Sequence, residues 1–272
     1  MQLDPAAVAA GVRLARYDEI GSTNAEALFR ARQGERGPLW IVAAKQTSGR
    51  GRHGRAWISE PGNLYATLLL TEAAPPSRAP ELAFVAAVAV YDAIVEVAPK
   101  LRQRLMLKWP NDLLYDGAKL AGILIEGEGT AVAIGIGVNC RRHPEATAYP
   151  ATDLITCGAE VSPDDLMPIL SRTMPDRLDQ WQRGAGFAAV RQDWLARAQR
   201  HGSAITVRLG ERAMSGRFEG IDDTGRLLLR SEGGALETIS AGDVFLMPQT
   251  PTRLPPIKSG VADLPLSGGG KD

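Results

Sequence analysis

Aromatic side chains make up only 6 % of this 272-residue chain, and cysteines and histidines are scarcer still, at two and three. Cys140 and Cys157 have sixteen residues between them and no histidine at zinc-ligand spacing. A structural zinc site is therefore excluded, and two reduced thiols rather than a disulfide are expected. His53, His143 and His201 are scattered through loops and junctions, which leaves a Ser–His–Asp triad without a base. Neither charge is in excess, with 31 Lys+Arg against 31 Asp+Glu. A dedicated nucleic-acid-binding domain usually carries a basic surplus. Long apolar runs are missing too: the longest nearly uncharged stretch, 82–91, falls well short of the roughly 18 residues of a membrane span. The N-terminus has neither the basic cluster nor the apolar core of a signal peptide. No membrane association and a cytoplasmic location are the expectations.

What is present is ordinary globular composition at a length that suits one large domain and one small one. Residues 5–16 read as a short helix or a frayed lead-in without chemistry. Ser22 is a good N-cap for a helix with Ala25, Leu28, Phe29 and Ala31 in period, stopped by Gly34 and Gly37-Pro38. LWIVAAKQ and NLYATLLL read as strands flanking a glycine/arginine loop, 49–55. An Ala-rich helix is predicted over 81–98, with Phe84, Val88, Tyr91 and Val95 on one face. LRQRLMLKW reads as a strand closed by Pro110, and KLAGILIEGEGTAVAIGIGVN as two strands joined at the GEGT turn. Ser162-Pro163-Asp164-Asp165 starts a helix that Pro168 and Pro175 make imperfect, and a further helix is predicted over 187–199. From 204 to 248 five short strands, AITVRL, AMSGRFEGI, RLLLR, ALETI and DVFLM, suggest a small barrel. The expected division is a catalytic domain over 1–200, a barrel over 203–248 and a disordered tail over 249–272.

Chemistry-bearing residues concentrate in two places. Gly49-Arg50-Gly51-Arg52-His53-Gly54-Arg55 matches a dinucleotide fingerprint literally, but a strand follows it where that fingerprint must open a helix. The loop offers exposed backbone N–H groups and three guanidinium groups, with no acid from Lys45 to Glu60 to offset them. It suits an anion with several oxygens, the alternative being a solvated surface turn. The second concentration is Lys108-Trp109-Pro110-Asn111-Asp112 with Lys119 seven residues on. Two lysines, a carboxylate and an amide around one turn suit phosphates, Mg²⁺ and an incoming nucleophile, or else simple turn chemistry after a proline. No P-loop pattern occurs.

In their order and spacing, EIGSTNAEA, KQTSGRGRHGRAW, NLYATLLL, KWPNDLLYDGAKLAGILIE and GIGVN resemble biotin protein ligases from about Tyr17 to Asn139, and more weakly through the C-terminal strands. The resemblance implies an α+β class II synthetase-like biotin/lipoate ligase domain, a mixed sheet with helices on one side, followed by an SH3-like β-barrel. It implies that Ser22, Thr23, Asn24 and Gln46 contact biotin. It also implies that Arg50, Gly51 and Arg52 close over biotin and the adenylate, and that Lys119 stands beside the biotin carboxylate and phosphate. Lys108 and Asn111 fall where ATP phosphates and Mg²⁺ are handled, Asn139 where adenine is met, and Asp112 where the acceptor lysine arrives.

Those roles agree with elementary chemistry. Biotin is an apolar bicycle with a polar ureido edge, so small walls from AGIL and GIGV and a few hydrogen-bonding side chains suit it. Joining its carboxylate to the α-phosphate of ATP brings two anions together, which calls for Arg50, Arg52, Lys108, Lys119 and Mg²⁺. The mixed anhydride must then be kept from water until a lysine of a biotin carboxyl carrier domain, in acetyl-CoA carboxylase or another biotin-dependent carboxylase, attacks it. Only about twenty residues precede Ser22, too few for the winged helix-turn-helix of some family members, so DNA binding is not expected. Tyr149 is the candidate for packing on adenine. Monomer and homodimer both stay open. The competing readings are a lipoate or octanoate ligase of the same fold and a degenerate binding module without activity.

Overall fold

The computed structural model describes residues 1–145, 149–209 and 212–246. In chain order the elements are α1 (Pro5–Ala9), β1 (Arg13–Ile20), α2 (Thr23–Arg32), β2 (Leu39–Gln46), β3 (Leu64–Thr71), α3 (Leu82–Val97), β4 (Leu105–Lys108), β5 (Asp112–Tyr115), β6 (Ala118–Glu128) and β7 (Ala131–Val138). They continue with α4 (Pro163–Trp181), α5 (Phe187–Leu195), β8 (Ala204–Leu209), β9 (Arg212–Ile221), β10 (Leu227–Arg230), β11 (Leu236–Ile239) and β12 (Asp243–Leu246). The expected tail lies outside the described residues.

The first seven strands form one mixed sheet in the order β1-β2-β3-β7-β6-β5-β4. Only β1 and β2 run parallel within it. Alternation along β2 sends Trp40 and Val42 to one face and Leu39 and Ile41 to the other. The first face is covered by α3 and α4, and the second by α2 through Ala27. Helices therefore cover both faces, not one as the resemblance implied. Helix α3 is buried on nearly every side, because it lies between the sheet and α4 and α5. This explains why its sequence is apolar all round instead of on the single face expected.

Two strands were not expected. The edge strand β1, in the supposed lead-in, exposes Arg13, Arg16, Asp18 and Glu19 and so lacks a clean alternation. β5 is only four residues long and is held between β4 and β6. The expected LRQRLMLKW strand shrinks to β4, and the last helix ends at Leu195 rather than 199. The β6–β7 hairpin turns at Gly129-Thr130, with Gly129 at φ 59°. Helix α4 carries a full Ser162/Asp165 capping box and runs unbroken through Pro168 and Pro175.

The last five strands form an antiparallel sheet, β11-β10-β9-β8-β12, around Ile205, Val207, Phe218, Leu227 and Leu229. It docks on the seven-stranded part through a chain of edge-to-face rings, Phe84–Trp194–Phe218, and through Trp109, whose Nε1 donates to Gly225 O at 2.9 Å. Among the described residues no helix is long and apolar enough to cross a membrane.

Candidate active site

A cavity of about 280 Å³ opens between the start of α2, the loop after β2 and the face of β6 and β7. Ser22, Thr23 and Asn24 reach it from the start of α2, and Gln46 from the end of β2. Arg50, Gly51 and Arg52 enter from the loop, Asn111 and Asp112 from the turn into β5, Lys119 from β6, and Asn139 from just past β7.

One end is a closed hydrogen-bond network. Gln46 Oε1 accepts from the Thr23 main-chain N–H at 2.9 Å and from Thr23 Oγ1 at 3.1 Å, while Gln46 Nε2 donates to Ser59 Oγ at 3.0 Å. Thr67, fully buried on β3, donates to Asn24 Oδ1 at 2.7 Å. Asn24 Nδ2 donates to Glu126 Oε2 at 2.8 Å. Thr23, Asn24, Ser59 and Thr67 are buried and Gln46 and Glu126 half-buried, and all of them are paired.

The floor is bare backbone. Gly122 on β6 and Gly137 on β7 stand directly opposite each other in register, and the Trp57 indole lies over both. A Cβ at Gly137 would come within 2.5 Å of that ring, and one at Gly135 would collide with the Asn24 amide. The glycines of AGIL and GIGV thus make room for the Trp57 and Asn24 side chains, and Gly122, Gly135 and Gly137 line the cavity. Trp57 Nε1 is buried and has no hydrogen-bond partner among the described residues.

The other end is cationic, but not unbalanced as the sequence suggested. Carboxylates distant in sequence meet the charges of the 45–55 segment. Lys45 pairs with Glu19 at 2.9 Å, Arg50 with Glu126 at 3.0 Å and Arg55 with Asp243 at 2.5 Å. A local scan for acids cannot see partners that a sheet brings in from elsewhere. Burial alone would raise the Asp243 carboxyl, but the Arg55 guanidinium outweighs it and holds that group below its usual range. Arg52 has no carboxylate within 4 Å among the described residues, and its closest partners are Asn111 Oδ1 and Gly242 O, both at 3.4 Å. Burial lowers its pKa, with Asp243 and Asp112 opposing from farther off. The Lys119 ammonium stands 2.6 Å from Asp112 Oδ1 and 5.3 Å from the centre of the Trp57 ring.

Lys108 is the one predicted residue that does not line the cavity. Its ammonium lies 4.7 Å from the centre of the Tyr149 ring, and burial pushes its pKa down. Tyr149 itself reaches the cavity wall. The Asn139 amide donates to Thr152 O at 3.0 Å and so ties the end of β7 to the segment beyond it. Trp57, Ser59, Thr67, Glu126 and Asp243 were not singled out from sequence. Trp57 closes the GRGRHGRAW motif, and its bulk opposite glycine-rich strands was a readable signal; the others needed the sheet register.

Residues 19–140 match the model of the Biotin/lipoate A/B protein ligase family, and residues 201–247 that of the biotin protein ligase C-terminal domain. A biotin–[acetyl-CoA-carboxylase] ligase of Paracoccus denitrificans is 42 % identical over 246 residues, covering 85 % of this chain and 98 % of that protein. One from Mycobacterium tuberculosis is 36 % identical, covering 83 % and 86 %. Among solved structures, the Aquifex aeolicus biotin protein ligase in complex with biotin and ATP superposes with a TM-score of 0.71 at 27 % identity, over 86 % of this chain and 97 % of that one. The Leishmania major enzyme in complex with biotinyl-5-AMP gives 0.63 at 28 %, over 84 % and 99 %. With the glycine floor, the polar network and the arginine loop in one cavity, these likenesses establish that the chain belongs to the biotin protein ligase family.

Proposed function

We propose that this protein attaches biotin to one lysine of a biotin carboxyl carrier domain in two ATP-dependent steps. The observation that carries this reading is a single cavity with two chemically distinct ends. Thr23, Asn24 and Gln46 are arrayed at one, and Arg52 and Lys119 at the other, across a floor of Gly122, Gly135 and Gly137. The ureido edge of biotin fits the first end, and the bicycle lies beside the Trp57 indole that covers Gly122 and Gly137. Its carboxylate then points toward the cationic end, where the ATP α-phosphate must also arrive. Trp57 and Tyr149 offer aromatic faces to the adenine.

In the first step a biotin carboxylate oxygen attacks the α-phosphorus, pyrophosphate leaves, and biotinyl-5′-AMP remains. Arg52 and Lys119 neutralise the meeting anions, and Lys108 adds charge from behind Tyr149. Mg²⁺ would be held chiefly by the phosphates, with the Asn111 side-chain oxygen on the cavity wall as the protein oxygen offered to it. Its contribution when bound is neutralisation of phosphate charge. Arg50, Gly51 and Arg52 cover the anhydride against water. In the second step the carrier lysine attacks the anhydride carbonyl, AMP leaves, and Asp112 orients the incoming amine and accepts its proton. Residues 1–200 form the catalytic unit in this reading, and the sheet from 203 onward braces the loop through Asp243.

The test is a mixture of the protein, ATP, Mg²⁺, biotin and a biotin carboxyl carrier domain, followed by mass spectrometry of the carrier. One biotinylated lysine is expected. Modification with lipoate but not biotin would move the protein to the lipoate reading, and no modification with either would leave a binding module.

A further inference from the structure

Glu126, near the end of β6, does not line the cavity, yet it touches two groups that do. Its Oε2 accepts from Asn24 Nδ2 at 2.8 Å, and its two oxygens lie 3.0 and 3.1 Å from Arg50 Nη2. No other carboxylate among the described residues bridges the α2 end of the site and the arginine loop. We propose that Glu126 is a positioning residue with two separable duties: it orients the Asn24 amide for the ligand's polar edge and anchors Arg50, and with it the covering loop. The inference rests on the biotin-ligase reading of the site.

The Asn24 duty follows from donor and acceptor accounting. Asn24 is 4 % exposed and packs close against Gly135. Its Oδ1 is fixed by Thr67, and its Nδ2 hydrogens go to Glu126 and to Leu124 O at 3.3 Å. A flipped amide would set oxygen against both a carboxylate and a carbonyl, so Glu126 fixes which atom faces which way. The Arg50 duty is electrostatic. Arg50 is 43 % exposed and Glu126 29 %, so the pair is partly screened, and its value lies in where it holds the loop rather than in stability.

The two duties part in two substitutions. Glu126→Gln keeps an oxygen for Asn24 Nδ2 but loses the charge that holds Arg50. Glu126→Ala loses both. The measurements are equilibrium binding of biotin and the rate at which adenylate, formed from biotin and MgATP, leaves the enzyme. For Gln we expect biotin affinity within about twofold of wild type and adenylate release faster by about threefold to fivefold. For Ala we expect biotin affinity lower by about tenfold, with at least the same faster release. Gln and Ala equal to each other in both measurements, or either equal to wild type in both, would overturn the proposal. Should Ala fail to fold, the nearly isosteric Gln variant decides alone, since unchanged release or a tenfold loss of biotin affinity would each refute it. A wild-type protein that forms no adenylate from biotin overturns the functional reading instead, so the two failures are distinguishable.

Discussion

The Lys119 ammonium and the Asp112 carboxylate meet at 2.6 Å across the β5–β6 hairpin, as a charge contact at the cavity wall. Each is the other's ligand-free counter-charge. In the proposed reading, anionic oxygens give Lys119 a second set of partners and leave Asp112 to the incoming amine.

Replacing Asp112 with Asn should therefore divide the two half-reactions. Lys119 keeps its charge and still attracts the carboxylate and phosphate, so adenylate formation should stay within about threefold of wild type. Transfer to the carrier loses its proton acceptor and should fall by roughly a hundredfold. Single-turnover measurements of each step check this, and equal losses in both would refute the role of Asp112.

Among the described residues Arg52 is the loop arginine without a close carboxylate, and in the proposed reading its guanidinium serves the ligand. Arg52→Gly should let the adenylate escape before a carrier arrives, because the remaining cover lacks its central charge. The expected outcome is biotin on unrelated lysines of a bystander protein, read by mass spectrometry. Strict confinement to the carrier would show that Arg52 does not retain the adenylate.

The fold was legible where periodicity and turn residues act locally. The β6–β7 hairpin turns at the expected glycine, and Ser162 caps α4 as its spacing requires. β1 was hidden because an edge strand keeps polar residues on both sides. The residues of the site were legible through two dense motifs, but their pairing was not. Arg55 finds Asp243 across 188 positions, and Arg50 finds Glu126 across 76. Such pairs depend on which strands are neighbours, and a single sequence carries no local trace of that.

The turn before β10 offers a stability test apart from the site. Burial would raise the Asp222 carboxyl, but the Thr224 and Arg226 main-chain N–H groups and side chains lower it overall. A carboxylate depressed in the folded state stabilises fully above its unfolded pKa, about 4, and loses that contribution as pH falls through the folded value. Asp222→Asn should cost about 1 kcal/mol near pH 7. In thermal melts down an acid series, the gap to wild type should close below pH about 4. A gap independent of pH would assign the effect to shape rather than charge.

Gly135 tests whether the bare floor is what shapes the ligand end. It sits on β7 opposite Thr67 of β3 and Leu124 of β6, within the best-paired part of the sheet. A Cβ there would collide with the Asn24 Oδ1, and the Asn24 side chain is fixed by Thr67 and Glu126. The β-strand backbone accepts alanine, since Gly135 is not among the residues with positive φ. The strain therefore falls on Asn24 rather than on the sheet. Gly135→Ala should cost about 1–3 kcal/mol of stability through overpacking while the fold persists. Biotin affinity should drop by tenfold or more as the amide is displaced, with ATP affinity moving by less than about threefold. Equilibrium binding of each ligand alone checks the split, and a parallel loss of both would mean that the substitution distorts the whole cavity instead of its polar end.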